Sequence, residues 1–141
     1  IIARARRWRA ILGGAMRQTG VVASPCLVAL DTTVDRLADD HRHARRLAEG
    51  LAAVDGITVD LDRVETNIVQ AEAGPLGWDA DDLRHHLWQA GIRVNTTSAT
   101  AVRLVTYRGI ESADIEEALA RIEAMMGRAG RPAAAKHRVP R

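Results

Sequence analysis

The sequence predicts an α+β fold in which a long helical segment precedes a small sheet domain with the element order ββαββα. Apolar residues recur at spacings of three and four in the first part of the chain, which is typical of helices. After Gly56 the apolar stretches become short and strand-like, with polar turns between them. Phe is absent and aromatic residues make up 3% of the 141 residues, so a core of Ala, Val, Leu and Ile is expected. Such a core favours close packing of helices over an aromatic-rich barrel.

The chain opens with a basic stretch, residues 1–11, that is expected to form a short helix or an extended arm. Residues 16–30 are apolar on nearly all sides, which predicts a buried helix. Ser24 and Pro25 are a good N-cap and first helical residue, so the helix is expected to restart there. Cys26 is interpreted as a small core residue.

The next helix carries the strongest amphipathic pattern in the sequence. Its apolar stripe comprises Val34, Leu37, Ala38, His41, Ala44, Leu47, Ala48 and Leu51. Asp55 and Gly56 are expected to close this helix. His41 and His43 point to different sides of a helix, so a solvated face is favoured over a metal site.

Two predicted strands, residues 57–59 and 66–69, follow this helix. Asp79 then predicts an N-cap, and Gly91 predicts the end of the helix that follows. That helix directs Leu83, Leu87 and Ala90 inward.

Two more predicted strands, residues 92–95 and 101–106, precede a final helix that Ser112 is expected to cap. Ile115, Leu119, Ile122 and Met126 lie on one face of that helix, and Met125 is expected in or near the core. Trp78 and Trp88 are interpreted as packing residues. His85 and His86 diverge by about 100° on a helix, so they cannot share a metal.

Composition limits the partners of the chain. The net charge is only +2, and nucleic-acid binding requires a clustered basic patch rather than this balance. The basic residues after Gly127 are interpreted as a solvated tail. No apolar stretch reaches the roughly 18 residues of a membrane span. The single cysteine fits a reducing compartment. The expectations are therefore a cytoplasmic protein with neither a membrane nor a nucleic acid as partner.

The most specific stretch is the glycine turn, residues 12–18, which reads LGGAMRQ. Its two glycines let the backbone approach closely, and Arg17 and Gln18 place donors at the start of an apolar helical stretch. This combination predicts an anion-binding turn.

Four motifs in the same order resemble the low-specificity L-threonine aldolases. They read RWRAILGGAMRQTG (7–20), RLADDHRHARRLAEGL (36–51), TNIV (66–69) and VRLVT (102–106). The resemblance covers residues 1 to about 126 and corresponds to the C-terminal part of such an enzyme. It implies a helical segment at 1–55 that links a large and a small domain, a C-terminal small domain at 56–127, and a flexible basic tail at 128–141.

The resemblance implies a homo-oligomeric pyridoxal-phosphate enzyme, a dimer or tetramer with the aspartate-aminotransferase-like fold. It would cleave L-threonine or L-allo-threonine, a small-molecule amino acid substrate, to glycine and acetaldehyde. The resemblance assigns Arg17 to the neighbourhood of the cofactor phosphate, often across a subunit interface. It assigns Arg103 to the substrate carboxylate.

The sequence also departs from the family pattern. The family's Schiff-base lysine, its ring-stacking histidine and its glycine-rich phosphate loop lie upstream of the matched stretch, and Lys136 matches no family motif. Ala10 replaces a frequent lysine, Ala15 replaces a third glycine, and Tyr107 replaces a histidine. A positive φ at Ala15 would cost about 1–2 kcal/mol.

These features predict the C-terminal portion of a threonine-aldolase-like lyase that is inactive alone and has no catalytic residue or metal ligand in this stretch. One alternative is a fragment of a related enzyme that acts by β-elimination. The other is a truncated, non-catalytic interaction module.

Overall fold

The computed structural model describes residues 1–129, and the chain divides into two compact units. The first unit is Ile1–Leu37, and the second begins at Ala38. The predicted boundary at residue 55 lies within the second unit and remains a prediction about domains. Most of the predicted tail, including Lys136, falls outside the described residues, whereas Gly127 and Arg128 belong to the last helix.

The first unit consists of two helices, α1 (Ile2–Ile11) and α2 (Gly20–Thr32). The expected restart at Pro25 is wrong, because α2 is one continuous helix that begins after Thr19 and contains Pro25 in its second turn. Proline lacks an N–H and therefore removes one helical hydrogen bond, but the bonds on either side maintain the helix here.

Neither helix of the first unit contains a buried residue. The expected burial of residues 16–30 is therefore not seen in this chain. Exposed apolar side chains on α2 include Val21, Val22, Leu27, Val28 and Leu30. Cys26 is also exposed, which contradicts its interpretation as a core residue.

The amphipathic helix α3 spans Leu37–Ala52 and begins later than its apolar pattern. Its second half confirms the stripe, since Ala44, Leu47, Ala48 and Leu51 are buried. The first half does not, because Leu37 and His41 are exposed and Asp40 is buried instead. Thr106 donates a 2.6 Å hydrogen bond from Oγ1 to the Asp40 backbone carbonyl, which joins this helix to the sheet.

A three-stranded antiparallel sheet follows, with the strand order β1-β3-β2. The strands are β1 (Ile68–Glu72), β2 (Asn95–Thr96) and β3 (Ala101–Val105). The α+β class is confirmed. The strand predicted at 57–59 is reduced to a bridge between Thr58 and Glu72, because a 3₁₀ turn at Leu61–Arg63 follows it at once. The order of elements after α3 is thus β1-α4-β2-β3-α5.

Helix α4 (Ala80–Gln89) has the termini that the sequence predicts. The Asp79 carboxylate accepts a 2.9 Å hydrogen bond from the backbone N–H of Asp82, so Asp79 is the N-cap. Gly91 follows with φ +81°, the left-handed conformation that favours glycine at a helix end.

Helix α5 spans Ser112–Ala129, and the expected Ser112 cap is wrong. The Glu111 carbonyl accepts the first helical hydrogen bond, from the N–H of Ile115, so Glu111 occupies the cap position. The Asp114 side chain accepts a 2.8 Å bond from the Glu111 N–H and satisfies that donor. Ser112 is therefore free to contact His43 of α3, with Oγ and Nε2 3.1 Å apart.

The core lies between one face of the sheet and helices α3, α4 and α5. Sheet residues Val69, Val102 and Leu104 are buried in it, as are Met125 and Met126, which confirms the expectation for the methionines. Trp78 packs at its margin as expected. Trp88 is 58% exposed, with the Arg93 guanidinium 5.0 Å from its ring centroid, so its interpretation as a packing residue is wrong.

Candidate functional site

The sheet has a second face that points away from the core, and we refer to it as the open face. Successive side chains of a strand alternate between faces, so residues buried on one side place their neighbours on the other. By this alternation the open face comprises Ile68, Gln70 and Glu72 of β1, Asn95 of β2, and Ala101, Arg103 and Val105 of β3. Among these residues, Ala101 is buried although it lies outside the core cluster.

Arg103 lies at the centre of the open face. It is directly opposite Gln70 on one side and directly opposite Asn95 on the other, so the three side chains form a row across the sheet. Both neighbours are neutral amides that can donate hydrogen bonds without neutralising the guanidinium.

Within residues 1–129, Arg103 makes neither a hydrogen bond nor an ion pair. Arg42, Arg45, Arg46, Arg84 and Arg121 of the second unit each pair with a carboxylate. Arg63, Arg93 and Arg108 resemble Arg103, since none of them makes a side-chain hydrogen bond or ion pair to a described residue. A guanidinium presents donors in a planar fork that matches a carboxylate or phosphate. The fork of Arg103 is therefore available to an anionic ligand.

The nearest carboxylate on the open face belongs to Glu72. It lies opposite Ala101, which makes it a diagonal neighbour of Arg103. Its Oε1 accepts a 3.1 Å hydrogen bond from the Thr100 hydroxyl. Thr100 belongs to the turn before β3. In this turn the Ser98 hydroxyl accepts hydrogen bonds from the backbone N–H groups of Thr100 and Ala101.

A cavity of about 340 Å³ lies beside β1 and was not predicted from the sequence. Gln70 and Glu72 line it from the open face, and Asp60, Arg63 and Glu65 line it from the preceding loop. Polar residues at alternate positions of β1 are the one sequence signal that could have indicated it. Gln70 lines this cavity and also lies beside Arg103 on the open face.

The glycine turn has the backbone that its sequence predicts. Gly13 has φ +79°, and Gly14 donates a 2.8 Å hydrogen bond to the Arg9 carbonyl. A Cβ at Gly14 would lie 2.9 Å from Arg9 Cγ, so glycine is required there for close approach. Ala15 does not have a positive φ, and the conditional strain at this position does not arise.

Arg17 lies near the end of the glycine turn and is exposed, without a hydrogen bond or ion pair to any described residue. It belongs to the first unit, whereas Arg103 belongs to the second. Each is an unpaired guanidinium within its own unit.

The four histidines within residues 1–129 show no common site. His41 is exposed, His43 contacts Ser112, and His86 stacks on Trp78 with ring centroids 4.2 Å apart. The His85 and His86 rings meet edge to face, 5.9 Å between centroids. Among residues 1–129, no three His, Cys, Asp or Glu side chains are grouped so that they could hold a metal ion.

Among the described residues, no helix has both the length and the apolar character needed to span a membrane.

Comparison with known proteins gives one family and consistent relatives. The beta-eliminating lyase family matches residues 1–73. The chain is 37% identical over 123 residues to the probable low-specificity L-threonine aldolase 2 of Arabidopsis thaliana, covering 86% of the chain and 35% of that relative. It is 32% identical over 127 residues to the low specificity L-threonine aldolase of Escherichia coli strain K12, covering 90% of the chain and 36% of that relative. The chain thus spans about a third of the length of these relatives.

Among solved structures, an aspartate aminotransferase tetra mutant of Thermus thermophilus has a similar fold, with a TM-score of 0.51 and 24% sequence identity. The likeness covers 62% of this chain and 24% of that structure. It supports the fold, in agreement with the α+β architecture.

Proposed function

The chain belongs to the beta-eliminating lyase family, and from that premise we propose that it forms part of a pyridoxal-phosphate-dependent aldolase. The substrates are β-hydroxy amino acids of the L-threonine and L-allo-threonine type, and the products are glycine and an aldehyde. The names of the relatives support this choice of reaction. The observation that carries the proposal is Arg103, which is unpaired at the centre of the open face.

Arg103 binds the α-carboxylate of the substrate in this proposal. Its guanidinium can donate two parallel hydrogen bonds to a carboxylate, and bonds to charged groups contribute about 1.5–3 kcal/mol each. The amides of Gln70 and Asn95 lie in the same row and can donate to the same ligand. Binding at one end holds the scissile Cα–Cβ bond in a fixed orientation.

Arg17 binds the phosphate of the cofactor, and it can do so for a neighbouring subunit of a homo-oligomer. Its exposed, unpaired guanidinium fits a phosphate group, and the Cβ position of Gly13 has no atom within 4 Å, which leaves room for an anion there. When bound, pyridoxal phosphate supplies the ring that accepts electrons from the breaking bond. A cytoplasmic homo-oligomer belongs to the same proposal.

These residues fit the anionic ends of a cofactor and a substrate but provide no covalent attachment. Residues 1–129 contain no lysine, and the sequence has a single lysine, Lys136. We therefore expect the 141-residue chain to be inactive on its own. Incubation of the chain with pyridoxal phosphate and L-threonine should release no acetaldehyde, and release of acetaldehyde would contradict this expectation.

The assignment of Arg103 is tested in the complete protein with L-threonine as substrate. Arg103→Ala should raise KM by at least about 10- to 100-fold, because even one of the two charged hydrogen bonds contributes about 1.5–3 kcal/mol. Arg103→Lys should recover part of the loss, since it keeps the charge but not the planar fork. Arg84→Ala is the matched control, because Arg84 pairs with Asp81 on an exposed face. An unchanged KM in Arg103→Ala would remove the assigned role.

The family description favours one second candidate, β-elimination from a β-substituted amino acid. Aldol cleavage releases glycine and an aldehyde, whereas β-elimination releases a 2-oxo acid and ammonia. Product analysis of the complete protein with L-threonine and L-serine therefore distinguishes the two reactions.

A further inference from the structure

The open face carries its own potential competitor for Arg103. Diagonal neighbours on adjacent antiparallel strands lie about 7–8 Å apart, within reach of long side chains. Glu72 and Arg103 are such a pair, and both side chains are long and oppositely charged. An ion pair between them would occupy the fork that a ligand carboxylate needs.

The structure shows Glu72 bound elsewhere. Its Oε1 accepts the hydrogen bond from the Thr100 hydroxyl at 3.1 Å, while Arg103 has no partner in the described residues. Two hydrogen bonds define the turn that contains Thr100. The Thr97 N–H donates a 2.9 Å hydrogen bond to the Ala101 carbonyl, and the Thr100 N–H donates to the Ser98 hydroxyl. The turn therefore holds the Thr100 hydroxyl between the Glu72 carboxylate, at 3.1 Å, and the Ser98 hydroxyl, at 3.5 Å.

We infer that Thr100 is a positioning residue of the Arg103 site, whose hydroxyl holds the Glu72 carboxylate and so leaves the Arg103 guanidinium open to a ligand carboxylate. The identity of that ligand as an amino acid rests on the proposed function. The restraint of the Glu72 carboxylate by the Thr100 hydroxyl rests on the sheet register and on the 3.1 Å hydrogen bond between them.

Thr100→Val in the complete protein tests the inference, because valine keeps the shape of the side chain but cannot donate. Release of Glu72 should weaken glycine binding and raise KM for L-threonine about 1.4- to 5-fold, the effect of one exposed ion pair. The change should shrink at high salt, where exposed charges are screened. Thr100→Ser keeps the donor and should behave like the unmodified protein.

The double variant Thr100→Val/Glu72→Gln separates the restraint from a merely structural effect. Removing the competing carboxylate should restore glycine affinity, whereas damage to the turn would persist. A loss of affinity that Glu72→Gln does not restore, or no loss in Thr100→Val, would overturn the inference.

Two measurements distinguish this inference from the proposed function. The NMR signal of the Arg103 Nε–H group, recorded without ligand, should move in Thr100→Val and return in the double variant. An unmoved signal rejects the restraint whatever the reaction proves to be. Glycine should shift the same signal, and glycinamide, which lacks the carboxylate, should not. Glycine binding without cleavage of L-threonine would reject the proposed reaction and leave the restraint standing.

Discussion

Gly50 of α3 is the position where a single added methyl group should have the clearest effect on stability. A Cβ there would lie 2.5 Å from Cδ2 and 3.0 Å from Cγ of Leu119 on α5. Leu119 is 5% exposed and belongs to the core, so it has little room to move. Because the contact includes the branch carbon Cγ, the whole side chain must shift rather than one methyl group.

Two opposing terms set the magnitude for Gly50→Ala. Alanine in a helix interior is favoured over glycine by about 0.8–1.0 kcal/mol. Overpacking of a core typically costs about 1–3 kcal/mol, and a clash at a branch carbon belongs in the upper part of that range. The free energy of unfolding should therefore fall by about 1–2 kcal/mol, measured by urea denaturation followed by circular dichroism.

The same substitution should have the opposite sign when Leu119 is truncated. Leu119→Ala alone leaves a cavity and should lower the free energy of unfolding by about 2–5 kcal/mol. Adding Gly50→Ala to that variant meets no clash, so it should raise stability by about 1 kcal/mol. Gly127→Ala in α5 is the matched control, since a Cβ there has nothing within 4 Å. An equal effect of Gly50→Ala in both backgrounds would refute the packing argument.

Two other contacts give predictions that the same denaturation experiment can measure. Thr106→Val removes the 2.6 Å hydrogen bond to the buried Asp40 carbonyl and should lower the free energy of unfolding by about 1–2 kcal/mol, whereas Thr106→Ser should retain most of it. A Thr106→Val variant as stable as the original would show that the hydrogen bond from Thr106 to the Asp40 carbonyl does not contribute to stability. Asp79→Ala removes the N-cap of α4 and should cost about 1 kcal/mol, with Asp79→Asn as the control that keeps an acceptor. Equal losses in both Asp79 variants would argue against the cap.

The best predicted element is α4, because both of its ends depend on local chemistry. Asp79 caps its first turn and Gly91 adopts the left-handed conformation at its end, each through contacts with near neighbours in the sequence. The strand expected at 57–59 depends instead on a partner, and only Thr58 pairs with Glu72. Strand formation is set by non-local pairing, which a single sequence does not specify.

The candidate site follows the same division. The resemblance to a known family indicated Arg103, but no pattern in the sequence indicated which residues flank it. Gln70 and Asn95 become its neighbours through the sheet register, and they are 33 and 8 residues away along the chain. Glu72 and Thr100 likewise meet only because β1 pairs with β3. The role of Arg103 therefore stays a prediction from the resemblance, whereas its electrostatic surroundings could be described only from the fold.

Helix α2 shows why a correct composition argument can give a wrong expectation of burial. At 100° per residue, Val21, Val22, Leu30 and Leu27 point at about 0°, 100°, 180° and 240° around the helix axis. All four are more than half exposed. Full burial of each such side chain would contribute about 1.5–3 kcal/mol, so covering α2 is strongly favourable. One flat partner surface can cover only one side of a helix with apolar residues all round, and within the first unit no residue of α2 is buried. Burial of α2 therefore requires surfaces that approach it from at least two directions.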